Sequence, residues 1–559
     1  MHDLLFRNAL IFDGDGGPPT VGDVAVTNGR IAAMGSKLGV AACEVIQADG
    51  LALMPGIIDS HTHFDAQITW DPCVRPSPAL GVTTAVIGNC GFTIAPCRPQ
   101  HRDITMRNLT QVEGMSLDVL RQGIAWNFET FPQYLEQLRR NGSAVNVAAY
   151  VGHSGVRTFV MGEDAARRGA TDDEIAAMQA IVREAMAAGA VGFASSTSPA
   201  HNGEGGLPMP SRLADEREMS ALVRAMGEAG RGVFMLTKGG QTAVRFLESL
   251  AAESGRPVMV AALLHNSTNP QAVFADLDAI SAANARGRRL LGQVSCCPLT
   301  MDFTLLSPYP VEGLSSWKRA LGLRGDALRA MLANRGFRDA VRAELASPSN
   351  FRLFNGEWDK VEVVETSPAN ASYEQRTIAE IAAVERRDPL DVMLDLALSD
   401  ELRTVFTALL LNSDEEAVGR MLNHPCSLVS LSDAGAHLTF FNDAGFGLHL
   451  LGHWARDLKA MTMTEAVRRL TSHPAQVFGM PGRGTIREGF AADLLLFDPA
   501  TVGRGPKRRV FDLPGGAARL TTDAVGVHGV WVNGQLVADS NGIADSAPRA
   551  GELLTRFTP

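Results

Sequence analysis

The chain predicts an α/β fold: a (β/α)8 barrel with a small β-sandwich domain formed by both chain termini. Three observations predict it. From Met54 to about residue 480, short apolar runs alternate with helical stretches, the pattern of a parallel barrel. Before Met54 and after about residue 485, apolar runs are separated by turns with no helix between them. The histidines, cysteines and acids that stand out fall at the ends of the predicted barrel strands, where barrel enzymes place their sites.

The elements follow in chain order. Residues 1–54 carry LLFRNALIFDG, DVAVTNGRIAAMG and VIQADGLALM, with Asn28-Gly29 as a hairpin signal. Residues 485–559 read the same way, through ADLLLFDP and VHGVWVNGQLVADSNG, and Asn533-Gly534 repeats the signal. These two stretches are expected to make the sandwich, with residues 55–484 as the barrel. Its eight strands end near His61/His63, Cys90, His153, Ser195, Thr237/Lys238, His265, Cys296 and Asp433. The clearest helix is 172–189, with Ile175, Met178, Ile181, Val182, Ala185 and Met186 on one face. Thr171 precedes three acids and suits its N-cap. Between the seventh and eighth strands lies a long insertion, about 302–423. Two readings of it stand: a cover over the site, or a solvent-side or dimer-contact excursion.

Composition bounds the function. The chain has 559 residues, 45% hydrophobic and 20% charged, which is ordinary for a globular protein. A net charge of −10 argues against a nucleic-acid partner, which needs a basic face. No apolar run is long enough to span a bilayer, and the first residues lack a signal-peptide pattern. A soluble cytoplasmic protein is expected, with no membrane partner and with homo-oligomerisation left open. Seven cysteines in so long a chain do not make a disulfide framework, and the adjacent Cys296 and Cys297 suit reduced thiols.

The chemistry centres on LALMPGIIDSHTHFD, residues 51–65. An apolar strand ends in Asp59, His61 and His63 at alternate positions. Residues two apart on a strand point the same way, so His61 and His63 can offer two imidazole nitrogens to one cation. Cys90 sits in a Gly-Asn-Cys-Gly turn that can aim its sulfur inward. On residues alone it reads first as a small buried core side chain. Asp433 follows the apolar strand LVSLS and suits either a proton-transfer group or a helix cap. His153 fits a substrate contact or a structural hydrogen bond. His437 is a polar partner of the site or a loop residue. His201, in the Gly-rich PAHNGEGG, predicts an exposed loop residue, and His424, His449, His453 and His473 read as structural.

The segment PGIIDSHTHFD resembles the first-strand signature of the amidohydrolase superfamily. GVTTAVIGNCGFTIAPCRP, residues 81–99, resembles its N-acyl-D-amino-acid deacylase (D-aminoacylase) branch, in which the cysteine is a distinguishing metal ligand. VGHSGVR, SDAGAH, TSHPAQVFGM and GTIREGFAADLLLFDP extend the likeness in family order over nearly the whole chain. The resemblance implies Zn2+, one or two ions with one favoured. It implies metal ligation by some of His61, His63, Cys90, His265 and Asp433, and a proton-shuttling role for Asp433. It implies hydrolysis of a linear, non-peptide C–N amide bond, with a small N-acyl amino acid as substrate. Ring opening of a cyclic amide, as in hydantoinase-like relatives, is the alternative, and a metal-poor ligand-binding barrel is a second.

The chain departs from that branch at strands five and six, which supply one histidine each in the deacylases. Strand five here ends in Thr237 and Lys238, and strand six places His265 in an uncertain register. Lys238 is open to three roles: a carbamylated ligand, a carboxylate anchor, or a solvent-facing residue. With His153 and Arg157 it makes up the expected substrate-binding set.

Overall fold

The computed structural model describes the chain except residues 113, 348–351 and 545. The chain divides into two compact units.

The larger unit, Met1–Leu263 with Asp276–Cys296 and Gly419–Pro559, holds the barrel strands. In chain order they are Ile57–Asp59, Val82–Ile87, Asn146–Gly152, Gly192–Ser196, Val233–Thr237, Val258–Leu263, Leu290–Val294 and Ser427–Val429. Each pairs in parallel with its neighbour in the sequence of strands, in one curled eight-stranded sheet. Strands two and three are buried at every residue. A parallel sheet covered on both faces demands such apolar runs. The two edges of the sheet meet just past the first and eighth strands. The His63 N–H donates to the Ala434 carbonyl at 2.8 Å, Thr62 bridges Ala434, and the Ser60 and Ser430 hydroxyls bond at 2.8 Å.

Local rules account for the expected helix. It spans Asp172–Ala188; Thr171 and Glu174 form a reciprocal capping box, and Gly189 ends it in the left-handed region. Ile175, Met178, Val182, Ala185 and Met186 are buried, as their spacing predicts.

The two chain ends meet in one sheet. Its order runs Gln535–Asp539, Val527–Val532, Leu494–Phe497, Ala52–Pro55, His2–Ile11, Thr20–Thr27 and Arg30–Gly35, with Ala42–Gln47 also beside His2–Ile11. Both Asn-Gly pairs are two-residue hairpin turns with positive φ at each residue, as the primed turn requires. The turns abut: a Cβ on Gly29 would lie 2.6 Å from the Asn533 carbonyl oxygen. The two ends therefore share one eight-stranded sheet, where a sandwich of two packed sheets was the expectation. The remaining tail strands, Gly503–Leu513 and Ala517–Val525, form a separate two-stranded ribbon. Phe6 packs edge-on against Trp531 at 4.9 Å in the core of the shared sheet.

The smaller unit joins Leu264–Ala275 to Cys297–Val418. It contains a three-stranded antiparallel sheet in the order Leu299–Phe303, Val405–Leu411, Val361–Glu365, and helices that include Arg335–Leu345 and Pro389–Ser399. Trp317 packs on Phe337 at 5.3 Å, and Arg338 bridges Asp391 and Asp395 on the neighbouring helix. No helix among the described residues is long and apolar enough to cross a membrane.

A buried polar junction ties the tail to the barrel. Asp493 accepts from Arg483, from Asn146 Nδ2 at 3.0 Å and from the Asn533 N–H at 2.8 Å. Removing its carboxylate leaves Arg483 buried without its nearest counter-charge. Asp493→Ala is expected to cost about 3–5 kcal/mol, the usual penalty for breaking a buried pair from one side. Urea denaturation checks this, and a loss below about 1 kcal/mol, the range of an exposed pair, would show the junction to be dispensable.

Candidate metal centre

Three side chains converge at the C-terminal ends of the first two barrel strands. His61, His63 and Cys90 are buried, and their donor atoms all lie within 4.8 Å of one another. Cys90 Sγ is 3.5 Å from His61 Nε2 and 3.9 Å from His63 Nε2. The histidines reach the same space because alternate residues leave a strand on one side. Cys90 reaches it by a strained turn, with its own φ at 57° between two positive-φ glycines. A Cβ on Gly91 would lie 2.6 Å from the Ala194 carbonyl oxygen, so the turn sits directly against the fourth strand. The Asn89 amide bonds the Thr62 and Val86 carbonyls, and Asp65 accepts from the Gly88 N–H at 2.8 Å. The turn is thereby fastened at both sides.

His61 is oriented from behind. Its Nδ1 lies 2.7 Å from Gln293 Oε1 on the seventh strand, and the Gln293 amide nitrogen donates toward Ser60. The amide oxygen therefore faces the ring, the proton sits on Nδ1, and the Nε2 lone pair is left for the cluster. On strand five, the Thr237 hydroxyl donates to Cys90 Sγ at 3.0 Å. Burial opposes ionisation of the Cys90 thiol. The His61 and His63 imidazoles outweigh that and bring it from its ordinary 9.0 to about 7.

Asp433 closes the cluster from the eighth strand's end. Its Oδ1 is 3.2 Å from His61 Nε2 and 3.6 Å from His63 Nε2. Burial works against its charge, but the two imidazoles prevail and hold the carboxyl well below the usual carboxylate range. Its side chain is 23% exposed, unlike those of the two histidines. Two imidazoles, one of them with a set tautomer, one readily ionised thiol and an adjacent carboxylate form a donor set that suits zinc.

The other expected site residues fall elsewhere. His153 and Arg157 are fully buried around Glu218: His153 Nε2 is 2.9 Å from Glu218 Oε1, its Nδ1 is 2.8 Å from Ser195 Oγ, and Arg157 pairs with Glu218. Neither side chain reaches the surface in this structure. Arg157 lies in the helix His153–Met161 that follows the third strand, and its sequence carries no mark of the acid that will claim it. Lys238 pairs with Asp276 at 3.1 Å, so its charge has an internal partner. His265 belongs to the smaller unit, where its N–H donates to Asn412 Oδ1 at 2.7 Å and its carbonyl accepts from the Asn412 N–H at 2.9 Å. Its ring is not one of the clustered donors.

His201 corrects another expectation. It is half-buried and not an exposed loop residue. Its ring meets Phe92 edge-on at 4.8 Å, and Phe92 lies 6.3 Å from the His63 ring. Gln293 and Thr237 were also missed as parts of the site. Their one sequence signal is a polar side chain in an otherwise apolar strand.

This fold and site define a class. A model of the amidohydrolase family matches residues 44–295 and 338–538, and the chain belongs to that family. Within it the similarity is specific. A D-aminoacylase of Alcaligenes xylosoxydans xylosoxydans is 30% identical over 561 residues, covering 99% of this chain and 98% of its own. A solved D-aminoacylase, studied for one-metal activation and second-metal attenuation of its binuclear centre, superposes with a TM-score of 0.67 at 27% identity, covering both chains fully. An N-acyl-D-glutamate deacylase of Bordetella bronchiseptica, solved with zinc and a phosphonate mimic of the tetrahedral intermediate, superposes equally well. Its TM-score is 0.67 at 27% identity, covering 99% of this chain and 100% of that one.

Gln293→Leu keeps the volume and removes the acceptor that fixes His61. Metal affinity, measured by competition with a chromophoric chelator, is expected to fall about 10–100-fold, as for other groups that orient a ligand. Unchanged affinity would mean that His61 holds its orientation without the amide.

Proposed function

We propose that this protein is a zinc-dependent hydrolase of the amide bond in N-acyl-D-amino acids, releasing a carboxylate and the free amino acid. The observation that carries the reading is the buried His61–His63–Cys90 cluster with the ionised Asp433 beside it. The deacylase relatives, matched over essentially the whole chain, support the substrate class. Seven free cysteines support a cytoplasmic setting.

Zinc held by these donors supplies Lewis acidity at the scissile carbonyl and acidifies the attacking water. The chain does the rest. Burial of His61, His63 and Cys90 keeps bulk water from the donors. Gln293 holds the His61 ring, and Thr237 holds the Cys90 sulfur. Asp433 Oδ1 accepts the proton of the attacking water and passes it to the leaving nitrogen, which cannot depart as an anion. A single zinc is the state these residues favour, because strand five presents the Thr237 hydroxyl to Cys90 where a further nitrogen ligand would enter.

Protein purified without chelator is expected to hold about one zinc per chain, in keeping with a single cluster of three protein donors. It should hydrolyse N-acetyl-D-amino acids in preference to their L-enantiomers and to hydantoins. Absence of transition metal, or turnover confined to cyclic amides, would overturn the assignment.

Asp433→Asn is expected to lower the rate about 10²–10⁴-fold, since an amide cannot cycle a proton. Zinc content and melting temperature should stay at wild-type values. Asn also caps helices well, so activity within a few-fold of wild type would leave Asp433 as a cap.

A further inference from the structure

His201 is held more firmly than a loop histidine needs to be. Its backbone carbonyl accepts from Arg212 Nη1 at 3.0 Å and from the Met209 N–H at 3.2 Å. Its ring packs on Phe92, and its Nδ1 lies 2.7 Å from Ser196 Oγ. Ser196 ends the fourth barrel strand and is buried.

The hydroxyl decides the tautomer. Ser196 Oγ already accepts from the Ser198 N–H at 3.1 Å. Its own proton has two acceptors in reach: His201 Nδ1 at 2.7 Å and the Thr237 carbonyl at 3.5 Å. The shorter contact is the hydrogen bond by ordinary geometry. Nδ1 then accepts, and the ring proton sits on Nε2. Among the described residues no group hydrogen-bonds Nε2. The ring stands one aromatic side chain from His63, and its electrostatic neighbours are His437, His63, Asp433 and His61. Burial, reinforced by His437 and His63, pushes its pKa down to about 3, so the ring is neutral at neutral pH.

We propose that His201 donates a hydrogen bond from Nε2–H to the oxygen of the scissile carbonyl as negative charge gathers on it. A neutral donor fixed in advance is suited to this, because it stabilises developing charge without reorganising and does not compete with substrate for a proton. Phe92 and Ser196 are the positioning residues that hold it. The proposal rests on the deacylase reading of the same site and adds to it the group that answers the oxyanion.

The test uses full-length zinc-loaded protein. Its readouts are kcat and KM for an N-acetyl-D-amino acid, zinc content, melting temperature, and calorimetric affinity for a phosphonate analogue of the tetrahedral intermediate. His201→Phe is expected to lower kcat about 10²–10³-fold, the usual effect of losing one such donor, with KM within a few-fold of wild type. Phosphonate affinity should fall in step with kcat/KM, while zinc content holds. His201→Gln restores an N–H donor and should recover part of both losses. A role confined to packing would leave Phe as good as Gln. That outcome, a loss confined to KM, or unchanged phosphonate affinity in the Phe variant would each overturn the proposal. Wild-type protein that neither turns over the amide nor binds the phosphonate would sink the deacylase reading itself, and this inference with it.

Discussion

The seam where the sheet closes on itself is the constraint from which the site follows. His63 donates its backbone N–H to Ala434, and Ser432 donates its hydroxyl to the His61 carbonyl at 3.2 Å. The same few residues therefore close the barrel and bring Asp433 to the two histidines. Without the seam, His61/His63 and Asp433 would be some 370 residues apart in sequence with nothing to join them. With it, the carboxylate lies within hydrogen-bond reach of one imidazole and close to the other. Loop-closure entropy is a folding cost shared by the whole barrel, so the site inherits its geometry from packing of the core.

Charge alternation then makes the cluster chemically coherent. A thiol, a carboxyl and two imidazoles placed in one buried space would each resist ionisation alone. Together they lower the thiol and the carboxyl and raise His61, whose own burial is outweighed by Cys90 and Asp433. The same anions are the ligands a metal needs deprotonated, so this pattern of charge suits a cation. The Glu218 group shows the contrasting case. Burial alone would raise its pKa, yet His153 and Arg157 bring it to about 2, and no side chain of that group reaches a surface. A strongly shifted carboxyl is thus no guide to the site unless something can approach it.

Strand five ends without a histidine, and the consequence is local. Thr237 takes the strand-end position, keeps the side chain short, and spends its hydroxyl on the Cys90 sulfur. The sulfur is held by a hydrogen bond on that side. Lys238, one residue on, turns to Asp276. A β-branched residue at a strand end holds χ1 stiffly, which suits a hydroxyl that must stay aimed at one acceptor.

Much of this protein was legible in its sequence, and the reason is the short range of what was read. Strand and helix periods, the capping box at Thr171, the two Asn-Gly turns, the His61/His63 alternation and the Gly-Asn-Cys-Gly turn depend on residues within a few positions of one another. Backbone sterics and local hydrogen bonds decide such features wherever the segment sits. Pairings across the fold were not legible. Gln293 behind His61, Thr237 on Cys90, Glu218 between His153 and Arg157, and His201 drawn in beside Phe92 join residues whose separations run from about 60 to over 200 positions, with the Ser196 contact of His201 the short exception. Which of several equally suitable polar groups meets a given side chain is set by how strands close and loops pack, and one sequence carries no mark of that choice. The sequence by itself determined the elements and the donor types. The tertiary structure decided which donors face one another, because only closure of the sheet brings strand ends into hydrogen-bond range.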